Sequence, residues 1–331
     1  MKERERRLEK YVWRENLFSV SGVKDVDLSF FGLTTAEHTA IKVGAEIVDA
    51  FPVFKRGATT LILRSSHTCL PKSGVESMIF RAETEEKNLF FGAGWVIVNS
   101  EELKRAKYVP LKAGAALLSV MDYPYVADCI RQEIIKKLLY NGVLIESTDG
   151  VYIDATAEIG RGARISHNVT VTGKSVIKNG AVLKPYTVIE DSEVGAFAEV
   201  GPFAHLRPNS RLGERVKIGN FMEIKNASLG AGTKAAHLSY IGDADLGEKC
   251  NVGCGAVFVN YDGSKKHRTR VGNKCFVGSN VNVVAPVVMS DGSYVAAGST
   301  LTRDLNGGDL CIARERERVL PERAKKYYNP D

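Results

Sequence analysis

Residues 201–225, GPFAHLRPNSRLGERVKIGNFMEIK, decide the fold. Leu206, Leu212, Ile218 and Ile224 recur at a strict interval of six, with polar residues and glycine between them. A period of six matches neither the 3.6-residue helix nor a long alternating strand. It describes very short strands joined by tight turns, with one aliphatic residue per repeat pointing inward.

The same period runs outward in both directions. Upstream it passes through Ile153, Ile159, Ile165, Val171 and Ile177 and, after a one-residue slip, through Val188, Val194 and Val200. Downstream it returns at Tyr240, Leu246, Val252 and Phe258, and again from Val271 through Val277, Val283, Met289 and Val295 to Leu301. Three repeats close one triangular coil of eighteen residues, so residues about 151–305 hold roughly eight or nine coils of a parallel β-helix. Successive coils lie about 4.8 Å apart, which makes residues eighteen apart vertical neighbours on one wall. Two interruptions stand out. From Ala227 to Ser239 the phase is lost, and from Val259 to Arg270 a polar loop with Lys265, Lys266, His267 and Arg268 leaves the coil. Loops that break a rigid repeat tend to carry the site.

Residues 1–120 lack the repeat and read as a small α/β or α+β module. The charged start Met1 to Arg14 can be helical, whereas Thr59–Leu63 and Leu89–Asn99 read as strands. A linker helix within 121–147 follows from the spacing of Val126, Cys129, Ile130, Ile134 and Leu138, with Gly142 as its stop. The β-helix then occupies 148–305 and a C-terminal arm 306–331.

The chain has 331 residues, 45 Lys+Arg against 39 Asp+Glu and a formal charge of +6. With 44% hydrophobic and 25% charged residues, a disordered or collagen-like chain is excluded. The mild positive charge gives no case for nucleic acid and suits a small phosphorylated substrate. No apolar run of membrane-spanning length and no signal-peptide core is visible, so a soluble cytoplasmic protein is expected, with no membrane partner. Six cysteines form no C-x-x-C pair, and no histidines have metal-ligand spacing, so reduced thiols and no metal are expected.

The eighteen-residue ruler places Arg207 above Lys225, two stacked cations that repel unless an anion lies beside them. With Lys265, Lys266 and Arg268 in a mobile loop acting as a lid, they read as a phosphate site; a solvated pair is the plain alternative. Ser279 and Ala297, also eighteen apart, make a wall of small side chains along which a long cofactor arm can lie, or simply dense packing. His237 sits in the phase-broken stretch, with Gly255 and neighbouring Cys254 one coil on. It is either a hydrogen-bonded structural residue or a base titrating near neutrality.

The segment Gly201 to Gly263, carrying LRP, GNF, HLSYIGDA and NYDG in one order, closely resembles the acetyltransferase half of the bacterial bifunctional glucosamine-1-phosphate acetyltransferase/N-acetylglucosamine-1-phosphate uridylyltransferase family. The similarity continues through FVGSNVNVVAPV and YVAAGSTLTRDL to Arg314, covering roughly the last 190 residues. The resemblance implies a left-handed parallel β-helix, a homotrimer with sites between subunits, and acetyl transfer from acetyl-CoA to the amine of glucosamine 1-phosphate on the way to UDP-GlcNAc. It implies that His237 is the general base and that Arg207, Lys225 and Lys266 hold the sugar phosphate. Tyr240, Asn251 and Asn260 would orient the sugar, and Cys254, Tyr261, Ser279, Ala297 and Arg314 would border the coenzyme. Cys254 stands where the family has Ala, and Ser239 where it has Thr. The family's glycine-rich nucleotide loop L-x-x-G-x-G-T-x-M is absent, so uridylyl transfer is expected to be missing. A non-catalytic trimer that binds a nucleotide sugar or CoA, and an acetyltransferase for another amino sugar, stay open beside this reading.

Overall fold

The computed structural model describes residues 123–324 throughout. Ahead of them it describes the strands Arg7–Trp13, Ser29–Phe30, Leu33–Thr34, Glu46–Val48, Ala58–Arg64, Leu89–Phe91, Gly94–Val98 and Lys107–Tyr108. The chain divides into two compact units, Met1–Val143 with Gly150–Glu158 and Thr170–Lys174, and a second made of the remaining residues.

In the first unit, Arg7–Trp13 of the charged start is a strand, not a helix. Arg7–Trp13 pairs in parallel with Glu46–Val48 on one side and Ala58–Arg64 on the other. Tyr11 and Val12 interrupt the charge run with β-formers, and pairing on both sides outweighs the helix propensity of Glu, Arg and Lys. The expected strand at 59–63 is present as Ala58–Arg64, and the single strand expected over 89–99 is two antiparallel ones, Leu89–Phe91 and Gly94–Val98. The linker helix, α1, spans Tyr123–Tyr140. It buries Val126, Ile130, Ile135 and Leu138 and ends at Gly142, whose φ is 82°. The N–H of Val143 reaches Leu138 O at 3.1 Å and that of Gly142 reaches Leu139 O at 3.0 Å, the paired bonds that close a helix on a left-handed glycine.

The hexapeptide repeat winds into the expected left-handed parallel β-helix of about nine turns. Its three walls are lined inside by the anchor side chains. The first carries Val194, Leu212, Leu229, Leu246, Val271 and Met289; the second Val200, Ile218, Ala235, Val252, Val277 and Val295; the third Leu206, Ile224, Ile241, Phe258, Val283 and Leu301. All are at most 4% exposed, and each apart from Ala235 contributes roughly 1.5–3 kcal/mol of burial. Pairing continues to Leu310–Cys311, which lies beside Tyr294–Val295 and so extends past residue 305.

The coil is not uniformly eighteen residues. Leu206 faces Ile224 across eighteen, but Ile224 faces Ile241 across seventeen, and Phe258 faces Val283 across twenty-five because the 259–270 loop is inserted. Three sequence expectations change as a result. The inward residues are Ile189 and Ile241, both fully buried, while Val188 and Tyr240 sit one position before them and are only partly buried. The stretch from Ala227 to Ser239 is regular, with Leu229, Ala235 and Ile241 as its anchors, because a coil one residue short and a small anchor at Ala235 hid the phase.

Candidate active site

The corner between the second and third walls carries a straight column. Asn220 pairs with His237 in the register of Lys217–Lys225 against Lys234–Gly242. The seventeen-residue step then brings Cys254, not Gly255, over His237, as the Gly255 N–H to Leu238 O bond of 2.8 Å requires. The Asn280 N–H donates to Cys254 O at 2.8 Å and the Gly298 N–H to Ser279 O at 2.8 Å, so Ser279 and Ala297 continue the column. Arg314 Nη1 donates to Ala297 O at 2.5 Å and caps it. The side chains of His237, Cys254, Ser279, Ala297 and Arg314 are all exposed.

Asn220, absent from the expected set, fixes the histidine's chemistry. Its Oδ1 lies 3.2 Å from His237 Nδ1. An amide oxygen only accepts, so in the neutral imidazole this contact puts the proton on Nδ1 and leaves Nε2 its lone pair. Gly219 makes this contact possible, since a Cβ there would lie 1.7 Å from Ala236 O. Ser239, buried below the histidine, donates to His237 O and Gly253 O at 3.0 Å each and holds the corner. The Gly255 N–H is spent on Leu238 O.

The opposite edge of the third wall carries the cations. The Arg207 N–H bonds Ile224 O at 2.8 Å, which sets Arg207 and Lys225 on one corner as the ruler requires. Arg207 is not a bare charge. Arg207 Nη1 pairs with Glu223 Oε1 at 2.8 Å, and this carboxylate raises the guanidinium's pKa. Lys225 is pushed below its ordinary value, first by Lys266 and then by Arg207, so the three cations share one space.

The loop is a closed turn, not a free lid. Asp262 Oδ1 accepts the N–H groups of Ser264 and Lys265 at 2.7 and 2.6 Å, and its Oδ2 meets His267 Nε2 at 2.7 Å. These bonds hold the Asp262 carboxyl far below the usual range. Tyr261 bridges to Lys266, and its hydroxyl donates to Gly263 O at 2.7 Å. Arg268 is not an anion ligand. It grips Asp245 through Nε and Nη2 at 2.6 and 2.5 Å and donates from Nη1 to Asn226 O at 3.0 Å, which anchors the loop's return.

Between the two edges, Tyr240 lies on the outer face of the third wall. Its ring crosses Gly242, where a Cβ would meet the phenol oxygen at 2.2 Å. Asn260 Nδ2 donates to Tyr240 Oη at 3.4 Å and to buried Asp243. Asn251 stands apart on the second wall, beside Lys234 and Phe276, and Tyr261 lies at the edge away from the Ser279 column of its own chain.

Gly242, beside which Lys225 sits, lies five positions after His237, so the edges are at most about 17 Å apart along the strand. Glu223, Asn220 and Asp243 escaped the sequence reading. The first faces Tyr240 one coil on, and the second became visible only with the seventeen-residue step. A cleft of about 580 Å³ at another corner, lined by Glu248, Lys249, Asn273, Lys274 and Asp291, contains none of the expected residues. Among the described residues no cluster of three metal-ligating side chains occurs, and no helix is long and apolar enough to cross a membrane.

No family model matches the chain. It is similar to the bifunctional protein GlmU of Caldicellulosiruptor saccharolyticus, 61% identical over 98 residues, 30% of this chain and 21% of that protein. It is also similar to GlmU of Campylobacter fetus, 46% identical over 193 residues, 58% of this chain and 43% of that protein. With GlmU of Bacillus caldolyticus it shares 56% identity over 98 residues, 30% of this chain and 84% of that sequence. The chain thus spans less than half the length of the first two relatives. Among solved structures, the UDP-N-acetylglucosamine acyltransferase of Arabidopsis is 16% identical over 53% of this chain and 68% of its own, with a TM-score of 0.31.

Proposed function

Since the chain belongs to the bifunctional GlmU family, we propose that it is an acetyltransferase moving acetyl from acetyl-CoA to the amine of glucosamine 1-phosphate. The observation that supports this most is the column Asn220–His237–Cys254–Ser279–Ala297 with its open imidazole nitrogen, at the far edge of the wall whose other edge holds Arg207, Lys225 and Lys266.

The phosphate lies among the three cations and the sugar ring lies over Tyr240 and Asn260, so the amine points toward His237. The coenzyme follows the small side chains of Ser279 and Ala297 toward Arg314. The neutral amine attacks the thioester carbonyl, its proton passes to His237 Nε2, and the oxyanion meets the Cys254 N–H. The C–S bond then breaks and the CoA thiolate takes the proton. Holding both reactants on one rigid wall makes the reaction effectively unimolecular. Tyr261 and Ser279 occupy opposite edges of the third wall, so a coenzyme touching both needs two chains. This favours a homotrimer with sites between subunits. The setting is cytoplasmic, and the step needs no metal.

A thiol-release assay with acetyl-CoA on the full chain, run with glucosamine 1-phosphate beside a panel of other amino sugars, tests the reading. Release that is fastest with glucosamine 1-phosphate supports it. Release only with another amino sugar reassigns the acceptor, and none with any acceptor leaves a binding protein.

A further inference from the structure

Asp243 lies outside the column, yet Lys225, Asn260 and the return of the Lys266 loop are all tied to it. It is 7% exposed and sits at a φ of 47°, a left-handed corner conformation that Asp and Asn tolerate better than most residues. Its N–H donates to Lys225 O at 3.0 Å, and its C=O accepts from Thr269 N–H at 3.0 Å. One residue therefore joins the coil that carries Lys225 to the point where the Lys266 loop returns. Its carboxylate accepts from Asn226 Nδ2 on Oδ1 at 2.5 Å and from Asn260 Nδ2 on Oδ2.

A carboxylate only accepts, so it forces Asn260 to present its NH₂ inward. The second N–H of that amide reaches Tyr240 Oη, which is thereby used as an acceptor. The polarity of two groups is thereby fixed: the Tyr240 O–H is left as a donor and the Asn260 side-chain Oδ1 as an acceptor. Resting on the acceptor site proposed above, we propose that Asp243 is a positioning residue that sets this donor–acceptor pair, and that the pair selects a pyranose bearing adjacent ring hydroxyls. A hydroxyl both accepts and donates, so neighbouring sugar hydroxyls satisfy both members of such a pair, whereas a bare anion can use only the donor.

The exchange variant Asp243→Asn/Asn260→Asp separates positioning from mere support. It keeps one amide and one carboxylate in contact, and so keeps the bond and the charge. The polarity is reversed, because a carboxylate at 260 takes the Tyr240 proton and no donor remains. Melting temperature, calorimetric binding of inorganic phosphate and of glucose 1-phosphate, and KM for glucosamine 1-phosphate are measured on the full chain, the exchange variant and Asp243→Asn. Losing one directed hydrogen bond should weaken glucose 1-phosphate binding and raise KM by roughly tenfold in the exchange variant. Its melting temperature should exceed that of Asp243→Asn, and its phosphate affinity should match the unaltered chain. If stability and KM recover together, Asp243 is structural only and the inference is overturned. If the unaltered chain binds neither phosphate nor sugar phosphate, the acceptor site itself is wrong and the inference falls with it.

Discussion

At the scale of single residues, close approach and hydrogen-bond polarity carry the account. Gly242 is there because the Tyr240 ring lies across it. Gly242→Ala must swing that ring off the wall, so KM for the sugar phosphate should rise several-fold while the melting temperature changes little; an unchanged KM would remove Tyr240 from the site. Asn220 fixes the imidazole's tautomer through the 3.2 Å contact. Much of this scale was legible: Arg207, Lys225, Lys266 and His237 all fall on two edges of one wall. What stayed hidden was polar support. Glu223 and Asp243 look in sequence like ordinary outward residues of a repeat, and only the coil's register shows that one pairs with Arg207 and the other binds Asn260.

At the scale of elements, the hexapeptide walls were readable because each anchor is a branched or aliphatic residue at fixed spacing. The misreadings come from places where that physics is muted. Ala235 fills an anchor position with a single methyl, so the sequence seemed to lose its phase although the strand Lys234–Gly242 is continuous. The charged strand Arg7–Trp13 is set by its neighbours in the sheet and not by its own propensity. Phe258, 1% exposed, is the largest fully buried anchor and stands just before the inserted loop. Phe258→Ala should cost about 3–5 kcal/mol, read as a lower denaturation midpoint. A loss under 1 kcal/mol would mean the coil closes without it. The loop's return hangs on the Arg268–Asp245 fork, which holds the Asp245 carboxyl below its ordinary value. That carboxylate's contribution is therefore present above the unfolded aspartate value and fades as pH falls through its lower folded value. Arg268→Met should remove this acid-side dependence, destabilise by about 1 kcal/mol because the pair is partly exposed, and raise KM by displacing Lys266.

For the molecule as a whole, the three converging cations are a cost in the empty protein and an asset once an anion binds. Lys225 titrates below the ordinary lysine value of 10.5 because Lys266 and Arg207 repel its proton. Between the folded and unfolded values the unfolded chain binds more protons, so stability should rise with pH through that alkaline window. Inorganic phosphate should cancel this trend and raise the melting temperature at neutral pH, and Lys225→Met should stabilise the empty protein while removing most of the phosphate increment. A phosphate increment that survives the substitution would place the anion elsewhere. The central claim is that the imidazole of His237 takes the amine's proton. Its most direct test is the turnover of His237→Ala in the thiol-release assay at saturating glucosamine 1-phosphate, with binding of the sugar phosphate measured on the same sample. The account predicts binding within a few-fold of the unaltered chain and turnover lower by about 10²–10⁴-fold. Turnover equal to that of the unaltered chain would contradict it.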